Sequence, residues 1–193
     1  MSNEIRLHGR GGQGTVLAAG ILAQALAEEG KWAIAIPTFG FERRGAPVSA
    51  FLRVDDRPIR SLTNIYHPDV IVCIDQTLGR AVNIFAGMAP GATLVLASRK
   101  SPAELDLPPT ARRLGLVDAV SIAMELFKRP ITNSVMLGAL ARTTGMVSLE
   151  SLARAMEGSH FRDAGLAQNL EAIRRGYDET EVLDLKESCH AYA

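Results

Sequence analysis

Three glycines near the start of the chain have the spacing of a phosphate-binding turn. Gly9, Gly11 and Gly14 follow the pattern G-x-G-x-x-G within residues 7–15, LHGRGGQGT. A short apolar alternation precedes them and an alanine- and leucine-rich run follows, so they lie at a predicted strand-to-helix turn. In such a turn the first glycine permits the bend, the second lets an anion approach the backbone, and the third lets helix and strand pack closely. The N–H groups of the new helix then face the anion.

The glycine pattern supports two hypotheses. In the first, the turn binds a phosphate-bearing ligand; in the second, glycine is needed only because helix and strand approach each other closely. An NAD site also needs an acidic residue about 20 positions further on, which holds the ribose hydroxyls. Residues 33–38, AIAIPT, contain no carboxylate, and Glu42 is the nearest candidate. This absence counts against a dinucleotide.

Residues 37–47, PTFGFERRGAP, form a predicted loop that carries charge and aromatic rings. Loops of this length without regular structure are often functional. Arg43 and Arg44 provide cations for an anionic ligand, or they pair with carboxylates of a neighbouring chain. Phe39 and Phe41 either form part of an interface or fold back onto the core.

A carboxylate follows the most apolar stretch of the chain. Residues 70–74, VIVCI, are predicted to form a strand that is buried on both faces of a parallel sheet, and Asp75 comes directly after it. Ligands of open α/β sheets collect at the carboxyl ends of such strands, which makes Asp75 a candidate site residue. A helix cap or a turn explains an aspartate at this place equally well.

The sequence contains no recognisable arrangement for acid–base, nucleophilic or metal chemistry. His8, His67 and His160 form no pairing with a carboxylate or a cysteine at a recognisable spacing, so we assign no catalytic residue. Cys73 lies in an apolar run and is predicted to be a buried thiol, and Cys189 is near the C-terminus. The two cysteines form no C-x-x-C pattern, which excludes an iron–sulfur cluster or a structural zinc site built from this chain alone.

Length, composition and charge restrict the class of protein. The chain has 193 residues, of which 47% are hydrophobic and 22% are charged, and this is enough for one sizeable core. Its 21 basic and 21 acidic side chains cancel, which gives no support for a nucleic-acid or anionic-membrane partner. The N-terminus lacks a basic region followed by an apolar stretch, and no run approaches a membrane span in length, so we expect a cytoplasmic protein.

The order of the predicted elements places the glycine turn and Asp75 at the carboxyl ends of strands. Strands are predicted at residues 4–8, 32–36, 48–54, 70–74 and 93–97. Helices are predicted at residues 15–29, 78–87, 119–127, 132–143, 149–156 and 161–177. The first two strands and the helix between them make a βαβ unit, and the segment 48–60 is expected to add an antiparallel hairpin at an edge.

These elements predict a single α/β domain over residues 1–178. Its doubly wound, mainly parallel sheet is Rossmann-like, because the βαβ opening and the doubly buried strand require helices on both faces. The added β-hairpin and a helical C-terminal part complete it, with Thr132 or Asn133 capping one of the helices. Residues 179–193 are expected to form an irregular C-terminal tail.

Four segments together resemble the gamma subunit of the pyruvate:ferredoxin oxidoreductase (2-oxoacid:acceptor oxidoreductase) family. They are residues 9–14 (GRGGQG), 37–48 (PTFGFERRGAPV), 57–59 (RPI) and 132–139 (TNSVMLGA). The resemblance extends over nearly the whole chain up to about residue 178. The sequence of the E-R-R-G-A-P loop is similar to that of the corresponding loop in the pyruvate-type branch of the family. This branch includes complexes that act on aryl 2-oxoacids such as phenylglyoxylate.

The resemblance implies a multisubunit enzyme that oxidatively decarboxylates a 2-oxoacid to an acyl-CoA. It places thiamine diphosphate and iron–sulfur (4Fe–4S) clusters on partner chains, namely alpha, beta and ferredoxin-like delta-type subunits. This chain would then help to bind coenzyme A through its phosphates, with backbone groups of the glycine turn and with arginine charge. The candidate cofactor-binding residues are Gly9, Arg10, Gly11, Gly12, Gln13, Gly14, Thr38, Arg43, Arg44, Asp75 and Asn133.

Two other functions fit the same residues. In one, the chain is a purely structural subunit whose loop and tail clamp the catalytic chains while the glycine turn binds nothing. In the other, it is a free-standing nucleotide-dependent oxidoreductase, which the missing ribose carboxylate disfavours. The choice of 2-oxoacid and of electron acceptor, ferredoxin or NAD through another subunit, is made largely outside this chain.

Overall fold

The computed structural model of the chain describes residues 3–37, 44–159 and 165–185. Within these ranges there is one sheet, whose strands are β1 (Asn3–Arg10), β2 (Trp32–Pro37), β3 (Pro47–Asp55), β4 (Val70–Cys73), β5 (Thr93–Ala97), β6 (Arg113–Val117) and β7 (Glu181–Asp184). The α-helices of the same ranges are α1 (Thr15–Glu28), α2 (Ala119–Phe127), α3 (Asn133–Thr144), α4 (Leu149–Glu157) and α5 (Leu166–Asp178).

The sheet is mixed but mainly parallel, in the order β2-β3-β1-β4-β5-β6-β7. Strands β1, β4, β5 and β6 pair in parallel, whereas β3 runs antiparallel to both β1 and β2 and β7 runs antiparallel to β6. Five of the seven strands therefore point the same way, which confirms the predicted α/β domain with a mainly parallel sheet.

The antiparallel pair differs from the predicted hairpin over residues 48–60. The hairpin is formed by β2 and β3, and β3 lies between β2 and β1 instead of at an edge. The prediction is wrong because it pairs the alternating run of β3 with the segment that follows it. That segment forms no strand. Only the register of β3 against both neighbours, with Leu52 opposite Ile5 and Ala35, decides between the two partners.

The helices of the described residues pack on one face of the sheet. Alternate strand residues such as Ile5, Leu7 and Val72 meet the apolar side of α1, including Leu22 and Leu26, in one continuous core. Helices α3 and α5 approach so closely that a Cβ on Gly138 would collide with the Ile173 carbonyl oxygen. Gly138 is thus needed for this close packing.

The other face of the sheet is covered by short turns and by no α-helix among the described residues, so the prediction of helices on both faces is wrong. Residues 78–87 form only a 3-10 turn at Leu78–Arg80 followed by further turns, so the predicted helix is wrong. The Asn83 side chain accepts a hydrogen bond from the N–H of Phe85 at 3.0 Å, which competes with helical bonding. The Arg6 guanidinium also donates hydrogen bonds to the carbonyl oxygens of Ile84, at 3.0 Å, and Ala86, at 2.6 Å.

Two strands were missed at the far edge. The apolar residues of β6 are interrupted by Gly115, which weakens a strand signal. Strand β7 occupies residues that were expected to be irregular, and its pairing with β6 is a long-range contact that a four-residue run does not reveal. Helix α5 begins at Leu166, and residues 160–164 and 186–193 of the predicted helix and tail lie outside the described residues.

A buried Arg6–His8 pair determines the protonation of the histidine. Arg6 Nε donates to His8 Nε2 at 2.9 Å, and a guanidinium has no acceptor, so His8 is neutral with its proton on Nδ1. That proton is directed at the Ser49 hydroxyl, 3.1 Å away. Burial, with a smaller contribution from the charge of Arg6, lowers the pKa of His8 to about 4.

We predict that this ring makes the chain less stable in acid. The unfolded ring binds a proton near pH 6.5 and the folded ring only near pH 4, so its contribution is full above pH 6.5 and is lost as the pH falls towards 4. The loss amounts to at most about 3 kcal/mol of unfolding free energy. Urea unfolding of the full chain between pH 7 and 4 should show a steeper decline for wild type than for His8→Gln, which keeps an acceptor for Arg6. The exposed histidine variant His67→Gln is the control and should follow wild type.

Candidate functional site

The candidate site lies where the strand order changes direction. Strand β1 leads through α1 to β2 on one side of it, and β4 leads to β5 on the other, so the crevice lies between the carboxyl ends of β1 and β4. In open α/β sheets this crevice is the usual ligand site. The turn after β1 and the turn after β4 therefore form its walls.

The glycine turn has the geometry that its sequence predicts. It lies between β1 and α1, and Gly12 and Gly14 have φ values of 90° and 76°, a conformation that disfavours other residues. The Gly11 N–H donates to the Ala46 carbonyl at 2.8 Å, and the Gly45 N–H donates to the Gly11 carbonyl at 3.0 Å. These two bonds hold the end of the 37–47 loop against the turn.

Several backbone N–H groups of the turn have no acceptor within the described parts of the chain. Gln13 N–H bonds the Arg10 carbonyl at 3.0 Å, but the N–H groups of Gly12 and Gly14 make no such bond among these residues. The first turn of α1 has no side-chain cap either, because its N-cap residue is Gly14. Helix dipole and free donors together make this end of α1 electropositive.

Asp75 connects the two turns. Its Oδ1 accepts hydrogen bonds from the N–H and hydroxyl of Thr77, at 2.7 and 2.6 Å. Its Oδ2 accepts from Gln13 Nε2 at 2.7 Å and lies 3.2 Å from Arg10 Nε. The Gln13 oxygen in turn accepts from the Arg10 backbone N–H at 2.7 Å, so the side chain of Gln13 bridges both walls.

The charge of Asp75 is stabilised by this network. Burial by itself would raise the pKa of Asp75, but the hydrogen bonds from Thr77 and Gln13 and the charge of Arg10 outweigh it and hold the pKa below its ordinary value. Arg10 also donates to the Thr77 hydroxyl at 3.0 Å and to the Gly45 carbonyl at 3.0 Å. Arg10 and Asp75 therefore neutralise each other, and the attraction for an anion rests on the backbone donors and on other cations.

Arg44 is such a cation. A Cβ placed on Gly12 would lie 3.8 Å from Arg44 Cγ, so the exposed Arg44 side chain lies beside Gly12 of the turn. Thr38 and Arg43, together with Phe39 and Phe41, lie outside the described residues, and their predicted roles stay predictions.

The start of α3 adjoins the start of α1. A Cβ on Gly14 would come within 2.5 Å of Asn133 Nδ2, so only glycine lets the two helices approach this closely. The Thr132 hydroxyl donates to the Ile74 carbonyl at 3.1 Å and does not cap α3, which corrects the predicted capping role. The oxygens Thr15 Oγ1 and Asn133 Oδ1 are buried here and have no hydrogen-bond partner among the residues that the structure describes. Asn133 thus lies beside Gly14 at the start of α1, and its role in binding stays a prediction.

The remaining reactive side chains of the described residues do not form a catalytic or metal site. Burial raises the pKa of the Cys73 thiol to about 12, so it stays a protonated core residue, as predicted. Among the described residues there is no group of three His, Cys, Asp or Glu side chains that could hold a metal ion. In the same part of the chain no helix is both long and apolar enough to cross a membrane. His160 and Cys189 lie outside the described residues.

Sequence reasoning missed Thr77, whose hydroxyl contacts both Asp75 and Arg10. Its spacing from Asp75, two residues further on, is that of an Asx turn, in which an aspartate accepts from the backbone two positions ahead. That signal was available in the sequence after β4. What the sequence could not show is that the same turn meets Arg10 from β1.

Known proteins are similar to this chain over nearly its whole length. A family model for pyruvate ferredoxin/flavodoxin oxidoreductase matches residues 4–179. The chain is 64% identical over 179 residues to the gamma subunit of NADH-dependent phenylglyoxylate dehydrogenase from Aromatoleum evansii, an alignment that covers 93% of this chain and 94% of that subunit. It is 46% identical over 184 residues to the common gamma subunit of pyruvate/ketoisovalerate oxidoreductases from Pyrococcus furiosus, covering 94% and 99% of the two chains.

Solved structures are similar as well. The PORC subunit of pyruvate oxidoreductase from Thermotoga maritima superposes with a TM-score of 0.80 at 37% identity, over 95% of this chain and 99% of that one. The gamma subunit of a keto/oxoacid ferredoxin oxidoreductase from Geobacter sulfurreducens gives a TM-score of 0.74 at 26% identity, over 93% and 96%.

We predict that Asp75 is the main polar stabiliser of the site. Asp75→Asn should lower the free energy of unfolding at pH 7 by about 1.5–3 kcal/mol, because donors that now meet a carboxylate lose charge-assisted bonds. The difference from wild type should be present above the usual carboxyl pKa and should shrink only as the pH falls below it, since the folded pKa is depressed. Asp184→Asn is the control: it removes an exposed ion pair with Arg113 and should cost less than about 1 kcal/mol. Equal losses in the two variants would contradict this role.

Proposed function

The chain belongs to the pyruvate ferredoxin/flavodoxin oxidoreductase family, and on that premise we propose that it is the gamma-type subunit of a complex that oxidatively decarboxylates a 2-oxoacid to an acyl-CoA. The likeness to gamma subunits over more than nine-tenths of both chains supports this role. Identity of 64% with the phenylglyoxylate subunit, against 46% with the pyruvate/ketoisovalerate subunit, favours an aryl 2-oxoacid over pyruvate as the substrate of the complex.

In this proposal the chain holds the phosphates of coenzyme A. The observation that carries it is the set of free N–H groups at Gly12, Gly14 and the start of α1, which line the crevice between β1 and β4. A phosphate there would accept these donors and lie on the positive end of the helix. Arg44 adds charge from the neighbouring loop, whereas Arg10 is neutralised by Asp75 and positions the turn.

The chemistry at the reacting carbon belongs to the partner chains in this proposal. Thiamine diphosphate and 4Fe–4S clusters on alpha, beta and ferredoxin-like delta-type subunits would supply decarboxylation and electron transfer. The contribution of this chain is binding: phosphates anchored at the crevice keep the thiol of coenzyme A within reach of the acyl group on the partner.

The start of α1 offers a test that leaves the fold intact. Leu17 is an exposed residue in the first turn of α1, where an acidic side chain is favourable for the helix. Leu17→Glu should therefore preserve or raise stability while its charge competes with a phosphate for the same N–H groups. We predict that it raises the coenzyme A concentration for half-maximal acyl-CoA formation roughly tenfold in the reconstituted complex.

Two readouts distinguish this role from a structural clamp. Carbon dioxide release with an artificial electron acceptor should be unchanged in Leu17→Glu, because decarboxylation does not use the phosphates. The uncharged variant Leu17→Gln should behave as wild type in both assays. If Leu17→Glu assembles normally and its coenzyme A requirement equals that of Leu17→Gln, the phosphate-binding role fails and the clamp takes its place.

We also predict that the purified chain alone is inactive. No 2-oxoacid oxidation should be detected with any artificial acceptor, even with added thiamine diphosphate and coenzyme A, and activity should return on addition of the partner subunits. Turnover by the chain alone would contradict the assignment of the redox groups to the partners and would favour a free-standing enzyme.

A further inference from the structure

The outer side of β2, which faces away from β3, is an open edge of the sheet. Apart from the pairing with β3, no backbone group of residues 32–36 forms a hydrogen bond with another described residue. Such a row of N–H and C=O groups is a template for pairing with another strand, and proteins commonly block it with charge, proline or a bulge. Residues 32–36, WAIAI, contain no charge and no proline, and their register with β3 has no bulge. We call this side of residues 32–36 the free edge.

The other edge of the sheet carries the protection that the free edge lacks. Strand β7 has only four residues, and carboxylates lie at both of its ends, at Glu181 and Asp184. Lys31 precedes β2, but its Nζ donates to the Met146 carbonyl at 2.7 Å. Its charge is therefore directed to the helix layer and does not guard the free edge. Of the two edges, only that of β2 is suited to pair with another strand.

The side chains of β2 alternate between small and large. Ala33 and Ala35 pack against the core on the side of the helices, so Trp32, Ile34 and Ile36 lie on the other face. Neither of the two apolar clusters of the described residues includes these three large side chains. Trp32 is the single tryptophan of the chain, and it is 52% exposed. The three side chains form a partly exposed apolar row beside the free edge.

The pattern of β2 is complementary to itself. In an antiparallel pair of two copies about a two-fold axis at Ile34, Trp32 of one copy lies opposite Ile36 of the other, and Ala33 lies opposite Ala35. Residues opposite each other share one face of the sheet, so large side chains meet large ones and small meet small. Pairs of an aromatic and a β-branched side chain stabilise sheets, and no like charges meet in these five residues.

The helix layer leaves room for this pairing. Helix α1 lies across β2 and β3, so the α1 helices of two paired copies would be two strand spacings apart. That distance is about 9.6 Å, within the roughly 8–10 Å between packed helices. Glu28 of α1 pairs with Arg154 of α4 on one flank. Val16, Ala23 and Ala27 lie roughly a third of a turn round the helix from Glu28, on the flank towards the free edge, and their side chains are short.

We propose that the free edge pairs with the free edge of a second copy of this chain, antiparallel and centred on Ile34. The two sheets then continue as one sheet, with the helices of both copies on the same face. Because the two β2 strands run in opposite directions, the crevices of the two copies face opposite ways. The pairing uses no residue of the glycine turn, so it is independent of the proposed binding of coenzyme A.

The single tryptophan allows a direct test on the full-length chain. Sedimentation over about a hundredfold range of concentration should show the mass rising from monomer to dimer. Over the same range the tryptophan emission should shift to shorter wavelength, because pairing removes the Trp32 ring from water. A chain that is monomeric throughout would contradict the proposal. A dimer whose emission does not change with concentration would contradict it as well, since it would use another surface.

Charge at the centre of the pairing tests its symmetry. A residue on the two-fold axis lies opposite its own copy, so Ile34→Lys and Ile34→Glu should each dimerise at least roughly tenfold more weakly than wild type. An equal mixture of the two variants should regain the dimer, which also shows that both are folded. Val182→Lys is the matched control, because Val182 is a half-buried residue within the other edge strand and belongs to neither cluster. It should associate as wild type does.

The remaining outcomes overturn the proposal. Dimerisation of Ile34→Lys at wild-type strength would place the contact elsewhere, and a mixture that stays monomeric would refute the arrangement about Ile34. The other possible occupant of the free edge is a strand of a different subunit. In that case the chain alone is monomeric, while Ile34→Lys and Ile34→Glu, but not Val182→Lys, lose binding to the partner subunits in co-purification.

Discussion

The Asp75 carboxylate is the interaction on which the candidate site depends. It accepts from Thr77 in its own turn and from Gln13 and Arg10 in the turn after β1, so one side chain joins the two walls of the crevice. Such a partly buried, multiply bonded carboxylate is most stable when every donor is in place, because each lost partner removes a charge-assisted hydrogen bond. The network therefore holds the glycine turn against the turn after β4, next to the N–H groups of Gly12 and Gly14 that have no acceptor among the described residues.

A second constraint comes from Arg6, which lies on the face of the sheet opposite to the α-helices. Its guanidinium is buried and donates to His8 Nε2 and to the carbonyl oxygens of Ile84 and Ala86, and the bond to Nε2 keeps His8 neutral. Because those carbonyls serve Arg6, the segment that contains them does not continue as a helix. This leaves a cleft at the carboxyl ends of β4 and β5, and the cleft adjoins the crevice. One buried cation thus affects the shape of the surface beside the site.

These two features act in a chain whose relatives are gamma subunits of oxidoreductase complexes. The Asp75 network and the backbone donors of the glycine turn both lie at the strand switch of the α/β frame. Preorganised donors do not have to be ordered when the ligand binds, which lowers the entropic cost of anchoring a long, flexible molecule. Arg10 and Asp75 neutralise each other, so their pair adds no net charge to the crevice. Arg44 is the cation that remains beside the glycine turn.

The sequence by itself determined the features that depend on local pattern. The glycine spacing indicates a strand, a turn and a helix in this order. The continuous apolar runs of β4 and β5 indicate strands that are buried on both faces of a parallel sheet. The α/β class and the turn were therefore predictable. Asp75 was found as a candidate because it follows such a strand, although pattern alone could not tell a turn role from a ligand role.

The tertiary structure decided everything that depends on which segments meet. The position of β3 between β2 and β1, the pairing of β7 with β6 and the absence of the predicted helix at 78–87 all follow from contacts between segments that are separate in the sequence. The same holds for the meeting of Thr77 with Arg10 and of Asn133 with Gly14. Local propensity is weaker than a buried hydrogen bond or a strand pairing, so these contacts override it, and a single sequence does not reveal them.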